Sequence, residues 1–457
     1  MSRLQITDNH HDGKSVRNCV VDDASIGSEE LDTAKKDLEK IANIKIGELK
    51  LEDTPNLLVF PRDLHQHGDE ISESHIISMK DDMISTGNIM GFVGVNDTQL
   101  DIKSRFAQKD GEDYFLHYML QKVFAINLFD IKHTTNEQQI FDFLLYLFPY
   151  YLKKALAQGL FKKYRRFEHN DANICGPINI SRHIRENIPF KGTVAYTTRE
   201  HSYDNEITQL VRHTIEFIRT KQHGAGILNN DLETKECVSQ IVMATQTYNA
   251  RERQKVINQN LRPIRHPYYS EYTPLQKICL QILRHESLKY GHEKDKIYGI
   301  LFDGAWLWEE YLSVILKDKY DHFLKKRGKR FYLFKDPNSQ QIIPDYIAND
   351  KSVVADAKYI PLNKHNGYYE DSQRATAIYY KTITYMFRFN TKVGYLFYPH
   401  PNTSNKIELL IDGDSDGKLI KYGIGIPSGF KRFNEFVDEM VGSEGVFLSS
   451  VLPGPTI

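Results

Sequence analysis

Asp345, Asp356 and Lys358 are of the right types and spacing to hold a divalent metal ion and cut a phosphodiester. Asp345 closes the run Ile342-Ile343-Pro344-Asp345, and the other two end the run Ser352-Val353-Val354-Ala355-Asp356-Ala357-Lys358. An Asn349-Asp350-Lys351 turn lies between the runs, so the segment predicts a β-hairpin. With the turn centred on Asn349-Asp350, Asp345 is expected opposite Val354. Strand alternation then puts Val354, Asp356 and Lys358 on one face. Two carboxylates so placed suit a hard cation that keeps several waters and takes its remaining ligands from a phosphate. A neighbouring lysine can orient or deprotonate the attacking water and offset the charge that builds on the phosphorane. A solvated Asp/Lys pair on a surface hairpin has the same spelling. Here Ile342, Ile343, Val353, Val354 and Ala355 imply a buried sheet, where an unpaired charge is expensive.

The elements around this hairpin read as follows. From about Lys296 the order is helix, strand, hairpin, helix, strand, as in an α/β core. Trp306 to Leu316 has helical periodicity and carries Glu309 and Glu310. Arg374 to Phe389 predicts a helix bearing Lys381 and Tyr385. Upstream, short apolar runs at Ile44–Ile46, Leu57–Phe60, Ile89–Val95 and Leu100–Ile102 suggest a small β domain. Helical spacing follows over Asp113–Val123 and Asn136–Phe161, running on into Lys162-Lys163-Tyr164-Arg165-Arg166. Further helices are expected over 205–221, 232–246, 254–260 and 274–287. The expected organisation is a flexible polar extension (1–40), a β-rich then helical domain (41–160), a helical middle region (161–290) and the hairpin-bearing core (291–457). The fold class is therefore α/β, more fully a multi-domain α+β chain whose C-terminal core has a mixed central sheet flanked by helices.

Composition bounds the function classes. The chain has 457 residues, 59 Lys+Arg against 60 Asp+Glu, and a formal charge of −1, so any nucleic-acid surface must be local. Four cysteines, Cys19, Cys175, Cys237 and Cys279, form no C-x-x-C pair, which favours a reducing compartment over a zinc site or disulfide framework. The polar N-terminus lacks a signal-peptide core, and the apolar stretch Phe141 to Leu152 is too short to span a bilayer. A cytoplasmic protein with no membrane partner is expected. The densest basic run is Lys153-Lys154, Lys162-Lys163, Arg165-Arg166, Arg182 and Arg185. It suits either DNA phosphate or an acidic partner surface.

Pro344-Asp345 followed by Asp356-Ala357-Lys358 resembles the PD-(D/E)xK nuclease signature, with Asp where Glu is commoner. The surrounding blocks resemble the McrC and LlaJI-type restriction subunits over about residues 85 to 400. They include Gly91-Phe92-Val93-Gly94-Val95, Cys175-Gly176-Pro177-Ile178-Asn179-Ile180, Ser202-Tyr203-Asp204-Asn205-Glu206-Ile207, Leu301 to Leu312 and Gly394-Tyr395-Leu396-Phe397-Tyr398-Pro399. The resemblance implies a Mg²⁺-dependent endonuclease, with Mn²⁺ as a substitute, that cuts double-stranded DNA in a GTP-dependent antiviral restriction system. It implies that Asp345, Asp356 and the Ala357 carbonyl hold the metal while Lys358 acts on the water. It also implies that Glu309, directly after Trp308, assists; Glu310 is the alternative. Lys381 stands where relatives often have Gln, and is either a phosphate contact steadied by Tyr385 or part of an amphipathic helix. The implied partner is an McrB-like AAA+ GTPase, which the N-terminal β and helical regions would meet and stimulate. This chain has no G-x-x-x-x-G-K-S/T loop, so it is expected to bind no nucleotide itself. Two rival readings are a non-cutting adaptor of an AAA+ ring and a stand-alone repair nuclease.

Three motifs are set aside. Asp412 to Gly417 begins like a calcium loop but has Gly423 at the twelfth position, and reads as a hairpin turn. Gly423-Ile424-Gly425 with Gly429 has the wrong spacing for a dinucleotide loop and is expected to be a plain loop. His65-Gln66-His67 near Asp69, Glu70 and His75 reads as a polar surface loop.

Overall fold

A computed structural model describes residues 2–21, 27–48, 57–61, 71–96, 98–108, 112–124, 136–221, 224–229, 231–288, 297–322, 331–335, 339–360, 362, 373–413 and 416–451. The side chains of 71, 136–143, 285–288, 298 and 373–375 lie outside the description, as do the histidines at 65 and 67 with Asp69 and Glu70. The chain forms two compact units, one of Met1–Asn127 with Glu293–Ile457 and one of Leu128–His292. This division differs from the expected one. The β-rich N-terminal region and the hairpin-bearing core belong to a single unit.

Strand pairing explains why. The first unit has a five-stranded sheet in the order Ser2–Thr7, Thr98–Lys103, Ile89–Val95, Ile297–Asp303, Leu57–Phe60. Ser2–Thr7 runs parallel to Thr98–Lys103 and buries Leu4 and Ile6, so the first residues are a strand and not part of a flexible extension. The alternation Leu4-Gln5-Ile6 is the two-residue period of a half-buried strand, in a window too short to stand out from its polar surroundings. Ile297–Asp303, in the stretch expected to open the core with a helix, is a strand that pairs antiparallel with Ile89–Val95 and parallel with Leu57–Phe60. Gly91 and Gly299 make that pairing possible. Their φ angles are +125° and +155°, and a Cβ on either would lie 2.1 or 2.3 Å from a carbonyl oxygen of the opposite strand. The expected strand at 44–46 exists only as an isolated bridge of Lys45 to His75.

The second sheet of this unit carries the hairpin. Its order is Tyr320–His322, Tyr346–Ala348, Val353–Ala357, Val393–Pro401, Lys418–Ile426, Asn405–Leu410, with parallel and antiparallel pairs, the mixed sheet that was expected. Helix Gln373–Phe389 packs on the face that holds Val354, where Ile347, Tyr385 and Met386 join it. The other face meets helices Gly304–Ile315 and Phe433–Val451. Trp308 Nε1 donates to the Phe397 carbonyl at 3.2 Å, and the Phe397 and Phe447 rings lie 5.0 Å apart. Asn405–Leu410 and Lys418–Ile426 form the hairpin expected around Asp412. Gly423 and Gly425 are buried within its second strand rather than in a loop, because Tyr398 and Asn402 come too close to leave room for a side chain.

The second unit is mainly helical. Asn136–Leu156, Glu206–Arg219, Leu232–Ala244 and Tyr272–Leu288 match expected helices. The basic run does not continue the first of these. That helix stops at Leu156, Gly159 takes φ +86°, and Lys163–Asp171 is a strand paired with Val194–Ser202. A left-handed glycine just past a helix end is a common stop signal. Among the described residues no helix is long and apolar enough to cross a membrane.

One buried carboxylate in the first unit gives a measurable pH effect. Asp8 accepts hydrogen bonds from the Arg105 amide at 2.5 Å and from Asn9 Nδ2 at 3.0 Å, with an Arg105 guanidinium nitrogen 4.0 Å away. Burial outweighs these partners and pushes its carboxyl from 3.8 up to about 6. The folded state therefore binds this proton more tightly than the unfolded chain. The stability it contributes is present when the group is protonated and is lost as pH rises from about 4 through 6. Relative to wild type, Asp8→Asn is expected to gain on the order of 2–3 kcal/mol between pH 4 and pH 7. Urea midpoints at the two pH values check this.

Candidate metal and phosphodiester site

The hairpin loop is two residues longer than expected. Ser352 donates its amide and hydroxyl to Asp350 Oδ1 at 2.9 and 2.7 Å, Lys351 takes φ +61°, and Lys351 N donates to Ala348 O at 2.8 Å. This Asp-anchored turn shifts the pairing, so Tyr346 faces Ala355 and Ile347 faces Val354. Continuing the register puts Asp345 across from Asp356, and not opposite Val354. The two carboxylates are closer than the sequence suggested.

Their surroundings are built by neighbouring elements. Asp345 Oδ2 accepts the Ala357 amide at 2.7 Å, tying the first carboxylate to the second strand. Asp356 is fully buried on the face covered by helix Gln373–Phe389. Lys358 Nζ forms an ion pair with Asp356 Oδ2 and donates to the Ala357 carbonyl at 3.0 Å. Lys381, one turn before Tyr385 on the covering helix, places Nζ 3.6 Å from Asp356 Oδ1 and 5.6 Å from the Tyr385 ring centre. The Tyr385 hydroxyl donates to the Ile343 carbonyl at 2.9 Å, which holds the strand that leads into Asp345.

The electrostatics divide the pair. Burial, then the charges of Asp356 and Glu309, hold the Asp345 carboxyl well above its ordinary value. Burial acts on Asp356 too, but the Lys358 and Lys381 ammonium groups outweigh it and hold that carboxyl below its ordinary value. The same attraction raises Lys358 against the opposing effect of its burial. Asp356 is thus the ionised partner, and Asp345 needs added positive charge to ionise beside it.

Glu309 enters from helix Gly304–Ile315, which Asp303 caps by accepting the Ala305 amide at 2.8 Å. Its Oε1 lies 2.7 Å from His322 Nε2, and its backbone carbonyl accepts the Tyr346 hydroxyl. Glu310 is buried on the same helix. Among the described residues, no three His, Cys, Asp or Glu side chains converge as a metal-holding group. His322 was not found from sequence. It reaches Glu309 only because Tyr320–His322 pairs with Tyr346–Ala348, and a three-residue edge strand leaves no periodic signal.

The basic run divides in the second unit. Lys153 pairs with Asp231 at 3.1 Å, Lys163 with Glu206, and Arg182 with Glu168 at 2.9 Å. Arg165 donates to the Asp204 carbonyl, and Lys162 lies 5.0 Å from the Tyr203 ring centre. Arg166 is exposed. None of these residues belongs to the unit that holds Asp356.

Fold and site together define a mixed-sheet α/β core that presents one buried and one half-buried carboxylate with two lysines at the end of a central hairpin. Residues 84–399 match the McrBC family, the 5-methylcytosine restriction system component, and the chain belongs to that family. No curated protein matches it. Two solved structures from Thermococcus gammatolerans are similar to it. One is the refined half-complex from a tetradecameric assembly of McrB AAA+ hexamers with bound McrC, at 14% identity over 96% of this chain and 99% of that one, with a TM-score of 0.42. The other is the McrBC complex, at 15% identity over 72% of this chain and 89% of that one, with a TM-score of 0.28.

Proposed function

We propose that this chain is the McrC-type endonuclease subunit of its restriction system, cutting double-stranded DNA with Mg²⁺ when assembled with an AAA+ GTPase that it stimulates. The observation that carries this reading is the pairing of half-buried Asp345 with fully buried Asp356, with Lys358 and Lys381 around them. Two adjacent carboxylates in a dry site are costly without a cation, and the raised Asp345 carboxyl is a sign of that cost. The donors are hard oxygens, Asp345, Asp356 and the Ala357 carbonyl, which fits Mg²⁺, or Mn²⁺ in its place. When bound, such an ion supplies Lewis-acid activation of the phosphate and its water.

The chain's own groups do the rest. Asp356 is held ionised by two ammonium groups and stays a strong acceptor. Lys358, fixed between Asp356 and the Ala357 carbonyl, orients the attacking water and stabilises charge on the phosphate. Lys381 reaches the same carboxylate from the helix, with a side chain that is 46% exposed, and meets the scissile-strand phosphate. Glu309, held by His322, lies near enough for its charge to act on Asp345 and assists the site.

Reconstitution with the family's AAA+ subunit and GTP tests the reading. Cleavage of methylated plasmid should require Mg²⁺, stop with a chelator, and fall at least a hundredfold in Lys358→Ala while GTPase stimulation persists. Cleavage by Lys358→Ala at the wild-type rate would remove Lys358 from the mechanism. Unimpaired GTPase stimulation with no cleavage on any substrate would make the chain an adaptor.

A further inference from the structure

The second unit holds a cationic pocket that sequence reading only half finds. A cavity of about 480 Å³ is lined on one side by Lys162, Lys163 and Tyr164 and on the other by Arg262, Arg265 and His266. The two segments are about a hundred residues apart. They meet because the strand that begins at Lys163 and the loop at 260–268 both pack beside helix Tyr272–Leu288. Phe161, at the strand's entry, places its ring 5.3 Å from Tyr272 and 5.9 Å from His266.

The loop has no regular structure, yet it is held in place. Buried Gln276 accepts the Ile264 amide at 2.9 Å and donates to the Asn260 and Arg262 carbonyls at 2.9 and 3.1 Å. Thr273 donates to the Ile264 carbonyl at 2.9 Å. The His266 Nδ1 accepts the Tyr268 and Tyr269 amides at 3.2 and 3.3 Å, which leaves the ring proton on Nε2 as a donor. The arginines are thus presented by a loop fixed at its backbone.

Charge is unbalanced there. Glu206 is the one carboxylate in the lining, and Lys163 occupies it. Arg262 and Arg265 are exposed, and neither side chain has an ion pair among the described residues. Aromatic surface accompanies the charge. Tyr164 is 56% exposed, stands edge-on to His201 with ring centres 3.8 Å apart, and has the Arg199 guanidinium 5.4 Å from its ring centre. Cations that track phosphates beside an exposed aromatic face are the two parts of a single-strand site. A nucleic-acid strand engages both at once, its phosphates on the cations and a base on the ring.

We infer that this pocket binds a single DNA strand, with Lys162, Arg262 and Arg265 on its phosphates and Tyr164 against a base. The inference rests on the reading that the chain handles DNA, and adds a holding site in the unit that lacks the carboxylate pair. It differs in its test, because binding is read without metal and without cleavage.

Fluorescence anisotropy of the full chain with a labelled thirty-nucleotide oligothymidylate, in EDTA, is the measurement. Arg262→Ala/Arg265→Ala should weaken binding at least tenfold and make the slope of log K against log salt shallower by roughly 1.4, two phosphate contacts on a single strand. Tyr164→Ala should weaken binding severalfold and leave the slope unchanged. Lys235→Ala, exposed and outside the pocket, should bind as wild type. Circular dichroism melting keeps folding separate, since none of these side chains is buried. Wild-type affinity and slope in the double variant would overturn the inference, as would no binding by the unmodified chain at low salt. Equal displacement by polyglutamate of matched charge would assign the pocket to an acidic protein and overturn it too. If the double variant loses oligonucleotide while Lys358→Ala still cuts, the pocket stands and the nuclease mechanism fails.

Discussion

Asp356→Ala is expected to abolish DNA cleavage, by about a thousandfold or more, with little loss of partner GTPase stimulation. Asp356 is the carboxylate whose ionised form two lysines favour, so its charge is the one most readily offered to a cation. Its removal has an electrostatic sequel that limits the cost to folding. Asp345 loses the charge of its neighbour, its carboxyl falls toward the ordinary range, and it becomes the partner of Lys358. The variant should therefore stay folded and lose cleavage alone. Lys358→Ala differs, since it leaves Asp356 buried with only the half-exposed Lys381 for a partner. Breaking a buried pair from one side costs about 3–5 kcal/mol. Plasmid cleavage and thermal melting measured side by side test both halves. Cleavage by Asp356→Ala within tenfold of wild type would remove this carboxylate from the chemistry.

The second large effect is on stability. Gly91→Ala and Gly299→Ala should each lower the melting temperature by roughly 10 °C or prevent soluble folding, a cost on the order of 3 kcal/mol or more. A methyl at 91 would lie 2.1 Å from the Ile300 oxygen, and one at 299 would lie 2.3 Å from the Phe92 oxygen. Neither obstacle is the movable end of a side chain. Both residues also hold φ values that other residues rarely adopt. Cleavage should fall with stability, because the strain lies next to the site. Gly304 N donates to the Asn88 carbonyl at 2.6 Å and starts the helix that carries Glu309. Tyr359, the residue after Lys358, packs against Gly304 and donates to Met90 Sδ at 3.4 Å. Melting within 2 °C of wild type in both variants would show that the sheet relaxes more easily than these distances allow.

The residues of the candidate site are easier to read in the sequence than the frame that holds them. The hairpin was legible because its apolar strands and Asn-Asp turn are local signals. Its register was not, because the extra turn length depends on the Ser352–Asp350 hydrogen bonds. The helices around Glu309 and Lys381 carried a clear period. Ser2–Thr7 and Ile297–Asp303 did not declare themselves as strands, since each is defined by partners about a hundred or two hundred residues away. The turn from helix to strand before Lys163 was misread because a run of lysine and arginine reads as a helix face and as an exposed strand edge alike. Arg262 and Arg265 were missed for a different reason. Their loop takes its shape from Gln276, and no local pattern shows a loop fixed by one distant side chain.

The place of Ile297–Asp303 between Ile89–Val95 and Leu57–Phe60 also sets the order in which the molecule can be finished during synthesis. The Ile89–Val95 edge is translated roughly 200 residues before the strand that covers it, which at 5–20 residues per second is a wait of about 10–40 s. Through that interval an apolar strand edge stands open on the ribosome, while the helical insert emerges and can fold by local contacts. The insert therefore acts as a timer. Chaperone demand, sensitivity to codon usage across residues 128–292, and failure of a separately expressed C-terminal core are the outcomes expected from where one strand falls in the chain.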